Sequence, residues 1–357
     1  MDHEAIIRQR LTNQGLARPA FADPATAVGW LCAVQAQDYA GARWALGTRI
    51  ASATDDGVRR AFDSGEILRT HVLRPTWHFV LPSDIRWLID LTGPRVKASM
   101  AYRHRGLGLD RATFVRANRA LEKALGGGAA LTRDDLRSVL GRVGIRDLAT
   151  ERMAHLMMVA ELDGVVCSGP RRGRQFTYSL FDERAPASRS LARDEALTEL
   201  AARFFASRGP ATVQDFGKWA GLTAADARAG LEEAKVQLRR ETVDGREYWF
   251  PPSRAARVPS PTALLLSIYD EYISGYRDRS AIVAPRHARR LMGMGNAVAS
   301  VIVLDGRIVG TWKRTLTAKT VAVETRAFEP LGKRGRAAVA AAAERYGDFL
   351  ELRVDLR

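Results

Sequence analysis

The chain has 357 residues, beyond the roughly 250–300 at which one hydrophobic core stops growing, so several domains and more than one core are expected. Hydrophobic residues at 46% and aromatics at 8% make an ordinary globular composition and exclude a chain dominated by disorder. Lys and Arg total 55 against 40 Asp and Glu, a formal net charge of +15 carried mostly by arginine; it reads either as a surface for a polyanion or as a generally basic surface of an Arg-rich composition.

From the start, IIRQRLTNQGL, DPATAVGWLCAVQAQ and DDGVRRAFDSGEI read as helices, and LRTHVLRPTWHFVL as two apolar halves that pair across Leu73 to Pro75. The plan recurs more regularly in RATFVRANRALEKAL, LTRDDLRSVLGRVG and TERMAHLMMVAELDG, then VVCSG, the basic tip PRRGR, and QFTYSLF. A third copy has Leu197, Leu200, Ala201, Phe204 and Phe205 at helical spacing, a stop at Gly209-Pro210, and a second helix capped by Thr212. Its third helix begins at Thr223 and is followed by VQLRRETV and EYWF around the turn Asp244-Gly245. TRDDL and TVQDF match as capping threonine, acidic first turn and apolar residue four positions on, which makes them two instances of one unit. Pro251-Pro252 and the stretch Pro259 to Pro261 then mark a boundary. Beyond it SVIVLDGRIVGTWKRTLTAKTVAVETRAF alternates as strands do, before one helix and the last strand LELRVDL.

The fold class expected is α+β, with three tandem winged-helix motifs over residues 1–105, 106–188 and 189–258 and a β-rich C-terminal domain over 259–357. Winged helices serve as nucleic-acid readers, as protein interaction modules and as scaffolds. Charge placement favours nucleic acid: Arg171, Arg172 and Arg174 crowd one predicted wing tip, a reasonable contact for phosphate or a minor groove.

No Walker A loop, HExxH or nucleophile-elbow serine occurs, and GMGNAV at Gly293 lacks the strand and spacing of a dinucleotide loop. Cys32 and Cys167 lie far apart in apolar contexts, so neither a disulfide framework nor a zinc ligand set is expected, and both thiols should be reduced and buried. No run approaches the ~18 apolar residues of a membrane span, and MDHEAIIRQR has no signal-peptide core; a cytoplasmic, nucleoid-associated protein is expected. One segment is harder to explain. LCAVQAQDYAGARWAL sets Gln35 and Gln37 into an apolar stretch, where an amide without partners costs roughly 1–3 kcal/mol. Either they satisfy the end of the first module's second helix or they act on a ligand; Asp38 competes as a base but faces away in an extended chain.

VQAQDYAGARWAL, THVLRPTWHFV, YDEYISGYRDRS and IVGTWKRTL, in that order along the whole chain, closely resemble segments of the bacterial winged-helix DNA glycosylases of the AlkZ type. In that family the glutamine, apolar residue, glutamine motif is catalytic, and it falls here on Gln35, Ala36 and Gln37; a sister branch has aspartate in the second glutamine's place, which this sequence does not. The resemblance implies a monofunctional DNA glycosylase that hydrolyses the N-glycosidic bond of N7- or N3-alkylated purines, in some members including antibiotic interstrand crosslinks. The rival readings are a non-catalytic winged-helix regulator and a drug-sequestering self-resistance protein.

The expected partner is duplex DNA, bound by a monomer with no metal, nucleotide or other cofactor. Candidate DNA contacts are Arg74, His78, Arg171, Arg172, Arg174, Arg277, Arg279, Lys313 and Arg314. Arg277, Asp278 and Arg279 read equally as a phosphate clamp or an internal ion pair, Trp44 and Trp77 as base-site lining or core, and His71 and His78 as structural or catalytic. Side chains two apart sit about 200° around a helix but share a face of an extended chain. Both glutamines can therefore serve one water only if the second helix ends near Val34, residues 35–37 are non-helical, and both amides open onto a basic concave surface.

Overall fold

The structure, a computed structural model, describes residues 1–253, 255–292 and 300–357, with side chains of 289–292 excluded. GMGNAV lies outside the described residues. The first module comprises helices α1 (His3–Asn13), α2 (Pro24–Leu31), α3 (Tyr39–Gly47) and α4 (Asp55–Ser64), the short strand β1 (Val34–Gln35), and the hairpin β2 (Leu68–His71) and β3 (Trp77–Val80). Side chains of Asp2, Asp23, Asp38 and Thr54 accept from first-turn N–H groups to start the four helices, and Gly65, at φ 90°, ends α4. β1 pairs antiparallel with β3, giving the order β1-β3-β2.

Helix α5 (Ile85–Gly106) leads into the second module. No element is expected there from sequence, and the helix runs through Pro94; the burial of Ile89, Leu91 and Val96 offsets the hydrogen bond that a proline forfeits. There follow α6 (Arg111–Leu125), β4 (Leu131–Thr132), α7 (Arg133–Arg142), α8 (Thr150–Leu162), β5 (Val166–Ser168), β6 (Thr177–Leu180) and α9 (Phe181–Arg184). The third module is α10 (Arg193–Arg208), α11 (Val213–Ala220), α12 (Ala224–Ala234) and the hairpin β7 (Arg239–Val243) and β8 (Arg246–Phe250). Thr132 with Asp135 and Thr212 with Asp215 both form reciprocal capping boxes, so the paired sequence pattern has the same local cause twice.

The C-terminal part holds β9 (Ala263–Leu266), α13 (Glu271–Ser274), α14 (Pro285–Met292), β10 (Val301–Leu304), β11 (Arg307–Leu316), β12 (Thr320–Ala327), α15 (Lys333–Leu350) and β13 (Arg353–Leu356). Its sheet has the order β13-β12-β11-β10-β9, antiparallel except for the parallel β12–β13 pair.

Hydrophobic cores cross the divisions read from sequence. Residues from Leu109 to Tyr178 close a core of their own, but the first module has its buried side chains divided among three others, with Ile6, Ile7 and Leu11 of α1 packed against Leu264, Leu266 and Val301 of the C-terminal part. Cys32, Ala33, Leu68 and Val80 pack with Phe204, Phe216 and Trp219 of the third module, while Val34, Ala36 and Phe79 pack with Trp312, Val321 and Tyr346 of the C-terminal part. The segment 32–36 is thus wedged between two cores, which holds its backbone far more firmly than a two-residue strand holds itself.

Two fully buried ion pairs add to this. Arg49, just past α3, meets Asp270, and Arg208, the last residue of α10, meets Glu271. Adjacent acidic residues at the start of α13 therefore tie down two different modules.

Candidate active site

Helix α2 stops at Leu31, three residues before the expected end, where Cys32 turns the backbone to a positive φ of 64°. The chain is extended from there: Val34 pairs with Phe79 and Gln35 with His78, and the Ala36 N–H donates to the Trp77 carbonyl at 2.7 Å. Residues 35–37 are not helical, so Gln35 and Gln37 share one face, with His78 across from Gln35, while Val34 and Ala36 face the core. Neither glutamine closes α2.

Their surroundings differ. Gln35 is only 9% exposed; its N–H donates to Glu271 Oε1 at 2.9 Å and its side-chain oxygen accepts from Arg74 Nη2 at 3.2 Å. Gln37 is exposed and its oxygen has one long contact, 3.4 Å from the Trp77 N–H. Gln37 is the more open of the two amides, since Arg74 closes over the Gln35 oxygen. Asp38 is no free base: its carboxylate caps α3 through the Gly41 N–H at 2.7 Å.

Arg74 and His78, expected as DNA contacts, are turned inward. Arg74 donates to the Trp219 carbonyl, Gln35 and His78, and burial pushes its pKa below the usual arginine value. His78 is fully buried, which removes it from any DNA surface. Its Nδ1 lies 2.9 Å from the Thr76 carbonyl and so carries the proton, leaving the Nε2 lone pair to face Arg74 at 3.3 Å. Burial first, and the Arg74 charge second, push its pKa down to about 3.

This depression has a consequence for stability. Between pH 6.5 and 3 the unfolded chain binds a proton at His78 that the folded chain does not, so this group opposes folding by about 1.4 kcal/mol per pH unit below 6.5. His78→Gln is expected to flatten the acid limb of a urea-unfolding pH profile over that window. An unchanged limb would mean that His78 protonates freely in the fold.

Beneath the glutamines lies a carboxylate that sequence reasoning passed over. Glu271, fully buried, accepts at Oε2 from Arg208 Nε at 3.1 Å and Nη2 at 2.7 Å and from Trp219 Nε1 at 2.9 Å. Burial would raise its pKa, but Arg208, the Gln35 N–H and Arg74 together hold it below the ordinary carboxylate value. Arg208 also donates to the Leu31 and Ala33 carbonyls, each at 2.9 Å, so this pair grips the backbone on both sides of Cys32. The signal for it lies in YDEYISGYRDRS, whose adjacent acids Asp270 and Glu271 precede the Arg277-Asp278-Arg279 triplet.

On the opposite face Arg69 Nε donates to the Ala36 carbonyl at 3.0 Å, and its guanidinium lies between the Trp77 and Phe176 rings, 4.3 and 4.8 Å from their centroids. Trp77 also meets His71, which is hydrogen-bonded to Glu161; the two histidines thus serve opposite faces of one sheet. Trp44 is core, its indole N–H on the Leu265 carbonyl.

The second module's arginine-rich tip is less free than its sequence implies. Arg171 lies over the Tyr39 and Phe176 rings, with its N–H on Asp63, and Arg172 binds Asp135 and the Ala130 carbonyl. Arg174 is exposed, and its guanidinium meets no partner among the described residues. In the C-terminal part Asp278 pairs with Arg246 rather than with Arg277 or Arg279, Arg279 donates to the Ile273 carbonyl, and Arg314 to the Tyr346 hydroxyl. Arg277 and Lys313 are exposed. The structure brings Gln35, Gln37, Arg74 and His78 together, and no contact among the described residues joins the other candidates to them directly. Among those residues no cluster of His, Cys, Asp and Glu is arranged for a metal ion, and no helix is long and apolar enough to cross a membrane.

A family model described as DNA glycosylase AlkZ-like matches residues 28–349. An interstrand DNA cross-link repair glycosylase of Streptomyces sahachiroi is 27% identical over 332 residues, covering 86% of each chain. The solved structure of Streptomyces sahachiroi DNA glycosylase AlkZ has the same fold, with a TM-score of 0.82 at 23% identity over 100% of both chains.

Proposed function

The chain belongs to the AlkZ-like DNA glycosylase family, and from that premise we propose that it hydrolyses the N-glycosidic bond of N7- or N3-alkylated purines in duplex DNA, unhooking interstrand crosslinks, with Gln35 and Gln37 as its catalytic residues. Such a purine is already cationic and leaves without a general acid. The C1′–N bond breaks with its electron pair going to the base, water adds to C1′, and the water's proton passes to solvent. An amide oxygen is a weak base, adequate to orient water toward so reactive a sugar cation.

One observation carries this reading: every ionisable group beside the two amides is already committed. Glu271 is paired with Arg208, Asp38 caps a helix, His78 is buried and neutral, and the exposed polar group that remains is Gln37. Asp38, the nearest partly exposed carboxylate, is held at Oδ1 by the Gly41 N–H at the start of α3.

The test is incubation with duplexes carrying a single N7-methylguanine or a nitrogen-mustard crosslink, followed by alkali. Strand scission at the lesion and separation of crosslinked strands are the expected results; tight binding without base release would instead make the protein a regulator. The protein acts, in this reading, as a monomer in the cytoplasm at the nucleoid.

Arg174, Arg277 and Lys313 are its DNA-contacting candidates whose charges have no partner among the described residues. Arg174→Ala is expected to flatten the dependence of log K on log salt by about one unit, while Arg171→Ala and Arg172→Ala, whose guanidinium groups serve the protein, leave it within a few tenths. Equal slopes for all three variants in a fluorescence-anisotropy titration would remove this tip from the interface.

A further inference from the structure

One glutamine of the pair is held by a cation and the other is not. Arg74 Nη2 lies 3.2 Å from the Gln35 oxygen and 3.3 Å from His78 Nε2. A guanidinium has donors and no acceptor, so the end of the Gln35 amide that meets it is the carbonyl. The NH₂ end of that planar group then points away from Arg74. His78 cannot compete as a donor, because its one proton is on the nitrogen facing the Thr76 carbonyl. Gln37, by contrast, is exposed, and its oxygen has only the 3.4 Å contact with the Trp77 N–H, beyond the usual range of a good hydrogen bond.

We propose that Arg74 is a positioning residue that fixes Gln35 as a hydrogen-bond donor toward the substrate and leaves the Gln37 oxygen to accept from the attacking water. The proposal rests on the glycosylase reading above and divides its work between the two amides. A positive charge beside the Gln35 oxygen repels a second positive charge, so that oxygen is a poor partner for a sugar that is becoming cationic. The same charge polarises the amide and strengthens its N–H groups as donors. A donor suits the departing purine, whose ring nitrogens receive the electron pair of the broken C1′–N bond. Gln37 orients the water that adds to C1′, and the water's proton goes on to solvent.

The test is single-turnover base release from a duplex with one N7-methylguanine, with DNA affinity and melting temperature measured for each variant. Arg74→Ala is expected to slow release roughly 10- to 100-fold with affinity unchanged within about twofold, and Arg74→Lys to recover part of the loss. Combined with Gln35→Ala, Arg74→Ala should slow the reaction no further, since it acts through that residue. Gln37→Glu, which keeps an acceptor oxygen, should stay within about tenfold of the wild type, whereas Gln35→Glu, which has no N–H, should fall to the level of Gln35→Ala. Additive losses in the double variant, or equal losses in the two glutamate variants, overturn the proposal. Should Arg74→Ala fail to fold, the glutamate pair decides, because both keep Arg74 on the Trp219 carbonyl. A wild type that releases no base overturns the glycosylase reading and this inference together; an active wild type with additive losses overturns only the inference.

Discussion

Gln35→Ala and Gln37→Ala are each expected to lower the single-turnover rate of base release by roughly 100-fold or more, while leaving the affinity for duplex DNA within about twofold. Affinity is spared because two neutral side chains contribute little to the phosphate term that dominates binding. Stability separates this from a structural role. Gln37 is exposed and held by one long contact, so its loss should cost no more than about 0.5 kcal/mol. Gln35→Ala removes an acceptor from the charged Arg74, roughly 1.5–3 kcal/mol, less than the ~5–15 kcal/mol that holds a typical domain folded. Neither residue ends α2, which stops at Leu31, so loss of a helix terminus cannot explain a defect. Full activity in both variants would end the mechanism, and a melting-temperature loss with intact rates would return both residues to architecture.

Much of the frame was legible because its causes are local. Thr132, Thr212 and Thr223 cap helices through bonds three residues away, and Asp244-Gly245 turns β7 into β8 within the hairpin. The spacing of Gln35 and Gln37 is of the same kind: two apart on an extended chain means one face. What was not legible depends on contacts made across the chain. Arg74 in LRPTWHFV carries no mark that its guanidinium will meet the carbonyl of Trp219, nor His78 that it will be sealed beneath Arg74. Basic residues beside a proline look like a DNA contact until their partners are placed. The arginine-rich tip misleads for the same reason, since Tyr39 and Asp135, which engage Arg171 and Arg172, come from α3 and α7. Helix α5 was missed for the opposite cause: Pro94 is a local stop signal that packing overrides.

The adjacent pair Asp270 and Glu271 offers a test in which stability and activity come apart. Each carboxylate neutralises one fully buried arginine, and removing either leaves a guanidinium buried and unpaired, a loss of about 3–5 kcal/mol. Asp270→Ala and Glu271→Ala should therefore lower the urea midpoint by similar amounts. Their effects on the reaction should not match. Asp270 holds Arg49, whose other bonds go to Ala45 and Thr48 at the end of α3 and to Gln14, none of them in the segment 31–37. Glu271 accepts the Gln35 N–H itself and orients Arg208, which grips the Leu31 and Ala33 carbonyls, so without it the strand that carries Gln35 loses its anchors on one side. A shift of an ångström in a catalytic group costs on the order of 100-fold in rate. At a temperature where circular dichroism shows both variants folded, Glu271→Ala should be slowed roughly 10- to 100-fold and Asp270→Ala by no more than about threefold. Equal rates for the two would mean that Glu271 supports the fold alone and that Gln35 keeps its place through Arg74 and the pairing with β3.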